Sequence, residues 1–320
     1  MKEIFGVPRI VTEARELASS NAKGGKPGLH WILTILVTLA ILISAEILAE
    51  VPVFIWRLTI MFARKRGMSI DAPSNMLIMT VRLYSFIIIT AVFILYTKLI
   101  EKRPARTLGF VKKGFVIQYL IGIVVGFGIF SLAILICKLT GAIDITLNSE
   151  INAGSIILIL GGWLIQGMEE EVCCRGFMLT SLSRRYSVAF GVIANAVLFA
   201  ALHLLNDGIS VLAFINLVLF GLFASVMFVR TGNIWMCSAV HSIWNFVQGN
   251  FYGISVSGNE LLDSVFRTSF NSSMTIWNGG DFGLEGGLGV TIVLVLGTVI
   301  LMFIPCKDTG LAEIKTVEAE

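Results

Sequence analysis

Runs of about twenty apolar residues recur along this chain, and a run of that length is what a helix needs to cross the hydrocarbon core of a bilayer. A membrane span must be a helix or a strand of a closed barrel. Barrel strands alternate in polarity over about ten residues, whereas these runs are continuous. The sequence therefore predicts an all-α, polytopic membrane helix bundle with about eight transmembrane helices, at Trp31–Leu48, Leu77–Tyr96, Phe115–Cys137, Ser155–Leu182, Val188–Leu205, Ile209–Val229, Ile234–Phe251 and Leu288–Ile304.

Composition supports the same class. Only 14% of the residues are charged and the mean hydropathy is +0.87, whereas soluble domains carry about 25% charged residues. The net charge of +3 is small and spread over the loops. We therefore expect the chain to lie in the lipid bilayer and not to bind nucleic acid.

The polar segments divide the chain into four parts. A polar segment, 1–30, lacks the apolar region of a cleaved signal peptide, so we expect the first span to remain as an anchor. Residues 31–150 hold the first spans, 151–251 the polar core described below, and 252–320 an outside loop, a last span and a tail. An apolar piece at 53–62 either extends the first helix past Pro52 or lies in the membrane interface.

Most lysines and arginines fall in the segments that would share one side of the membrane with the N-terminus. By the positive-inside rule this predicts that both termini are cytoplasmic. The cluster Arg64-Lys65-Arg66 lies on the opposite side and is the local exception. A multi-pass protein of a bacterial plasma membrane fits this pattern.

Three consecutive carboxylates, Glu169 to Glu171, interrupt the fourth apolar run. A charge at mid-membrane costs about 2.5–3.5 kcal/mol on insertion, and it usually marks function. Glu171 and Arg175 stand four positions apart, so they share a helix face and can pair. That pairing leaves Glu170 without a local counter-ion and Glu169 without an assigned role.

Two of the three histidines lie in later apolar runs, whereas His30 borders the first span and is expected to be passive. Phe199 and His203 are four residues apart, as are His241 and Asn245. Each pair shares a helix face. The chain therefore predicts three polar faces, carrying Glu170, His203, and His241 with Asn245.

These groups are sufficient for hydrolysis. A carboxylate and an imidazole can activate water, and an imidazole and an amide can stabilise an oxyanion. Glu170, His203 and His241 are also candidate ligands of a zinc ion, so zinc is a possible cofactor. Cys173 and Cys174 are expected to pack rather than react, and the five cysteines do not predict a disulfide framework.

The motifs resemble those of a known family. EEVCCR at 170–175 matches EExxxR, FAALH at 199–203 matches FxxxH, and HSIWN at 241–245 matches HxxxN, in the same order. The chain is similar to the CAAX-processing and bacteriocin-processing (Abi, or type II CAAX prenyl endopeptidase) family of intramembrane proteases. The resemblance implies a catalytic core in spans four to seven, and it makes Glu170, His203, His241 and Asn245 catalytic, with Glu171, Arg175 and Phe199 in support.

By this resemblance the function is that of an intramembrane endopeptidase. It would hydrolyse membrane-associated peptides or proteins, prenylated CAAX-type or simply hydrophobic, with glutamate-activated water. His203 would help to activate the water, and His241 with Asn245 would bind the oxyanion. Two alternatives remain open at this point: a non-proteolytic immunity or scaffold protein on the same fold, and a small transporter or proton channel that uses Glu170 and the histidines as a relay.

Overall fold

The computed structural model describes residues 7–21, 28–68, 74–259 and 263–305. This part of the chain is predominantly helical with little sheet, as an all-α membrane bundle requires. Its α-helices are α1 Arg9–Asn21, α2 Trp31–Lys65, α3 Asn75–Ser85, α4 Ile87–Leu99, α5 Phe115–Leu139, α6 Ala153–Glu171, α7 Thr180–Arg185, α8 Val188–Ala201, α9 Val211–Thr231, α10 Ile234–Phe246, α11 Thr275–Asn278 and α12 Leu288–Phe303.

Shorter elements connect the helices. Two π-helical segments, Val172–Leu179 and Val247–Phe251, continue α6 and α10. The 3-10 turns lie at Ala105–Leu108, Ser272–Met274, Gly280–Phe282 and Leu284–Gly286, and the strands are β1 Ile143–Leu147 and β2 Phe266–Phe270.

Four helical stretches are long and apolar enough to cross a membrane: Trp31–Lys65, Asn75–Leu99, Phe115–Leu139 and Val211–Thr231. They coincide with the first, second, third and sixth predicted spans. The fifth and eighth predicted spans form shorter apolar helices, α8 and α12. The fourth run is divided between α6, a π-helix and α7. The number of eight spans thus stays a prediction, while the membrane class is established.

The first helix is longer than the first predicted span. α2 runs through Pro52 to Lys65, so the apolar piece at 53–62 extends the helix instead of forming a separate interfacial segment. The second predicted span is interrupted at Phe86, which separates α3 from α4.

The polar N-terminal segment is more structured than its composition indicates. Residues 9–21 form α1, which buries Ile10, Val11 and Ala14. Arg15 donates from Nε to the carbonyl oxygen of Ser183, at 2.8 Å, and so ties α1 to the end of α7. The predictions for residues 1–6, for 22–27 and for the tail with Cys306 lie outside the described residues.

α10 lies at the centre of the bundle, between α5 and α6. Glycines on both neighbours allow this close approach. A Cβ at Gly126 of α5 would lie 2.7 Å from the carbonyl oxygen of Val240, and one at Gly167 of α6 would lie 2.6 Å from the backbone nitrogen of Ser242. Both distances are too short for a side chain, so α10 can touch both backbones only because these positions are glycine. This contact sets α6 and α10 face to face.

The segment between α10 and α12 departs from the all-α prediction. β2 pairs antiparallel with β1, with Ile143 opposite Phe270 and Leu147 opposite Phe266. The two strands are more than a hundred residues apart, so no local pattern could reveal their pairing.

Glu285 attaches the same segment to the core. It is buried and accepts hydrogen bonds from the indole of Trp244, at 3.2 Å, and from the backbone and hydroxyl of Ser257, both at 2.8 Å. The predicted outside loop is therefore fixed to α10 beside the polar residues of that helix.

Candidate functional site

The predicted ion pair of the first motif is present. Arg175 donates from Nη1 to Glu171 Oε1 at 2.8 Å, and both side chains are fully buried. Arg175 also donates to the carbonyl oxygen of Gly221, and its guanidinium lies 4.8 Å from the centre of the Phe199 ring. Glu171 ends α6 and Arg175 lies in the following π-helix, a rare conformation that occurs frequently at functional sites.

His241 lies between the two carboxylates of the motif. Its Nδ1 is 2.8 Å from Glu171 Oε1, and its Nε2 is 3.6 Å from Glu170 Oε2. A proton on Nδ1 makes the shorter contact a hydrogen bond to Glu171, and that bond fixes the orientation of the ring. Glu171 therefore holds both a guanidinium and an imidazole, and the imidazole faces Glu170.

Glu170 is the more accessible carboxylate: its side chain is 25% exposed, whereas that of Glu171 is 0% exposed. It also has a local partner that the sequence reading missed. Gln166, one turn earlier on α6, donates from Nε2 to Glu170 Oε1, and Asn245 donates to Gln166 Oε1 at 2.9 Å. Gln166 is neutral, so it orients Glu170 without supplying a countercharge. The signal that could have found it is its spacing of four residues before Glu170.

His203 does not lie within a helix, contrary to the predicted span Val188–Leu205. α8 ends at Ala201, and a turn follows. His203 Nδ1 is 2.8 Å from the carbonyl oxygen of Phe199. The two rings lie 4.9 Å apart, so the shared face of Phe199 and His203 is confirmed.

Phe199 connects the two histidines. Its ring centre lies 6.0 Å from that of His241 as well as 4.9 Å from that of His203. The structure thus gathers Glu170, Glu171, Arg175, His241 and Asn245 by polar contacts. It joins His203 to them through an aromatic ring.

Glu169 and the adjacent cysteines are buried beside the site. Only 4% of Glu169 is exposed, and its Oε1 has no hydrogen-bond partner among the described residues. Cys173 and Cys174 are free and buried, as are Cys137 and Cys237.

The arrangement does not fit the predicted zinc ligands. Within the described ranges, no group of three or more His, Cys, Asp or Glu side chains is placed to hold a metal. His241 faces a carboxylate with each ring nitrogen, and His203 Nδ1 lies at a backbone carbonyl. Glu170, His203 and His241 therefore do not form a ready three-ligand set, and no chemical step is assigned to a metal.

α10, which carries His241 and Asn245, begins inside the protein. Asn233 caps α10 by accepting from the backbone N–H of Trp235, at 2.8 Å, and it is buried. The N–H of Ile234 donates to the carbonyl oxygen of Gly109, at 3.0 Å. Because α10 begins inside the protein, His241 reaches the carboxylates at the C-terminal end of α6 although it lies only two turns into α10.

The comparisons with known proteins match this part of the chain. A family model described as "Type II CAAX prenyl endopeptidase Rce1-like" matches residues 152–247, which is less than a third of the chain and contains every polar residue of the site. This segment is similar to the Rce1-like family. The resemblance to CAAX-processing and bacteriocin-processing proteases is thereby confirmed. The comparison with curated proteins found no match.

The similarity of this segment to a protease family supports, at a coarse level, a membrane-bound hydrolase. The match ends at Val247, the first residue of the second π-helix, and before the segment that Glu285 attaches to α10.

Proposed function

We propose that this protein is an intramembrane endopeptidase in which Glu170 activates the attacking water. The observation that carries the proposal is the position of His241 between Glu170 and Glu171, beside the one carboxylate of the motif that is partly open. A catalytic base needs access to water, and of the carboxylates Glu169, Glu170 and Glu171 only Glu170 combines access with a fixed orientation.

The chemistry follows from these contacts. Glu170 takes a proton from water as the oxygen attacks the peptide carbonyl, and it returns that proton to the leaving amine as the C–N bond breaks. Glu171, paired with Arg175, holds the His241 ring with Nε2 towards Glu170. The Nε2 lone pair can then accept a hydrogen bond from Glu170 once that carboxyl holds the proton taken from water.

Three further roles belong to the proposal. His241, once its Nε2 also carries a proton, and Asn245 bind the oxyanion. His203 helps to activate the water, and Phe199 supports both imidazoles. The amide of Asn245 donates to Gln166. In the reacting complex that amide must therefore change partner from Gln166 to the oxyanion.

The substrates we propose are membrane-associated peptides or proteins, prenylated CAAX-type or hydrophobic. The test is a comparison of membrane peptides from cells that make wild-type protein, Glu170→Ala or the control Glu150→Ala. Glu150 is exposed and lies before α6, outside the site. We expect peptides that are shortened in wild-type and control cells to remain at full length in Glu170→Ala cells.

Identical peptide lengths in all three strains would contradict the proposal. If Glu170→Ala cells also keep the wild-type phenotype, the immunity or scaffold alternative is favoured. Ion flux into liposomes that depends on Glu170 would instead favour the proton-channel alternative.

A further inference from the structure

A large apolar cavity lies on the side of α6 that faces away from Glu170. Its volume is about 600 Å³, which is within the range of ligand sites. Its walls come from α4, α5, α6 and the start of α10, and they include Ile87, Ile94, Phe115, Leu120, Met168 and Trp235. Met168 lies two residues before Glu170, so the two side chains point about 200° apart around the helix. The cavity is therefore separate from the proposed active site.

The cavity opens to the lipid side of the bundle. Four of its lining residues, Ile87, Phe115, Val116 and Leu120, are exposed large apolar side chains. In a membrane these positions face hydrocarbon, so a chain from the bilayer can enter without crossing a polar barrier. The occupant that the lining fits is a hydrocarbon chain.

Positive charge lies at one end of the same cavity. Trp235 packs against Phe110 and Phe115, with ring centres 5.5 and 5.4 Å away, and it donates to the carbonyl oxygen of Val111 at 3.1 Å. Lys112 and Lys113 are exposed and stand between these aromatic residues in the sequence. Both lysines therefore lie within a few residues of the cavity wall.

A third lysine approaches from α4. Thr90 and Ile94 line the cavity one turn apart, and Lys98 follows one turn later on the same face. Lys98, Lys112 and Lys113 form no ion pair with any carboxylate in the described part of the chain.

Neither the backbone at this end nor Glu101, which follows Lys98 by three residues in the sequence, opposes an anion there. Glu101 is already paired with Arg103 and Arg184, at 2.5 and 3.1 Å. α5 begins at this end without a side-chain cap on Gly114, so its first N–H groups add positive potential.

We propose that this cavity binds one acyl chain of an anionic phospholipid, whose headgroup lies on Lys98, Lys112 and Lys113. Charge complementarity favours an anionic headgroup over a zwitterionic one. The lipid contacts the back of the helix that carries Glu170, along Leu164, Ile165 and Met168. The inference does not rest on the proposed protease activity.

Trp235 allows a direct test, because bromine on an acyl chain quenches the fluorescence of an indole that it touches. The purified full chain in non-ionic detergent is titrated with phosphatidylglycerol or phosphatidylcholine, both brominated on the acyl chains. The signal of Trp235 is the difference between wild type and Trp235→Phe. We expect half-quenching by phosphatidylglycerol at a concentration at least about ten-fold lower than by phosphatidylcholine, since each lysine contributes roughly five-fold near an anionic headgroup.

The triple variant Lys98→Gln/Lys112→Gln/Lys113→Gln should bind both lipids alike. The charge-matched control is Arg57→Gln/Lys65→Gln/Arg66→Gln, which removes three exposed cations from the C-terminal half of α2 and its C-cap. This control should keep the preference. Equal half-quenching of the wild type by the two lipids, or a preference that survives in the first triple variant, would overturn the proposal. Absence of Trp235-dependent quenching would do so as well. The comparison of the two lipids on the wild-type lysines decides even if a triple variant fails to fold.

Discussion

Replacing Arg175 by methionine should destabilise the protein strongly, because it removes the cation from a fully buried ion pair. Glu171 is also fully buried and would then lose its arginine partner while keeping the contact with His241. Breaking a buried pair by removing one member costs about 3–5 kcal/mol, since the remaining charge stays desolvated. We expect a loss of this size in the free energy of unfolding for Arg175→Met, and a similar loss for Glu171→Gln.

The double variant Glu171→Gln/Arg175→Met should lose less unfolding free energy than the sum of the losses in the two single variants. No unpaired charge remains in it, and the introduced amide oxygen can still accept from His241. We expect a coupling energy of at least about 2 kcal/mol. The assay is unfolding by denaturing detergent in mixed micelles, with the free energy extracted from each transition.

The exposed pair Arg82–Glu50 is a matched control. Its side chains are about half exposed and its Nε–Oε1 distance is 2.9 Å. Its coupling energy in Arg82→Met/Glu50→Gln should stay below about 1 kcal/mol. If the Glu171 and Arg175 effects add to within about 0.5 kcal/mol, the buried pair is not coupled and this reasoning is refuted.

Two other substitutions test the packing around the site. Gly167→Ala should lower both the unfolding midpoint and any activity, because its Cβ would press on the backbone of Ser242; Gly128→Ala on α5, where nothing lies within 4 Å of the added Cβ, is its control and should be neutral. Trp163→Phe should cost about 1–3 kcal/mol in unfolding free energy, since it leaves the buried Asn250 Oδ1 without its donor at 2.7 Å; an unchanged transition would contradict that assignment.

Local spacing predicted those parts of the site that lie on one helix. The Glu171–Arg175 pair follows from a four-residue separation, and α10 carries both His241 and Asn245. The same rule would have paired Gln166 with Glu170, had a neutral amide been considered beside the charges. The apolar runs likewise predicted a membrane bundle. In hydrocarbon the backbone groups of a continuous apolar run must be hydrogen-bonded within the run, and a helix achieves this.

The spacing of residues along one helix could not predict contacts between segments that are distant in the sequence. His241 lies 70 residues after Glu171, and the ring's place between two carboxylates depends on the glycine contact of α6 with α10. The end of α8 before His203, the pairing of β1 with β2, and the attachment of Glu285 to Trp244 also depend on tertiary structure. Each involves partners that a sequence pattern does not place side by side.

The rate of peptide-bond hydrolysis in Glu170→Gln tests the central claim most directly. The substitution keeps the size of the side chain and removes its basicity, so the protein should unfold at the wild-type midpoint. On a peptide that the wild type cleaves, we expect kcat/KM to fall by about 10²–10⁴-fold, the usual contribution of a general base. The control Glu150→Gln should cleave at the wild-type rate. A folded Glu170→Gln variant that retains kcat/KM within about ten-fold of wild type would contradict the assignment of Glu170 as the base.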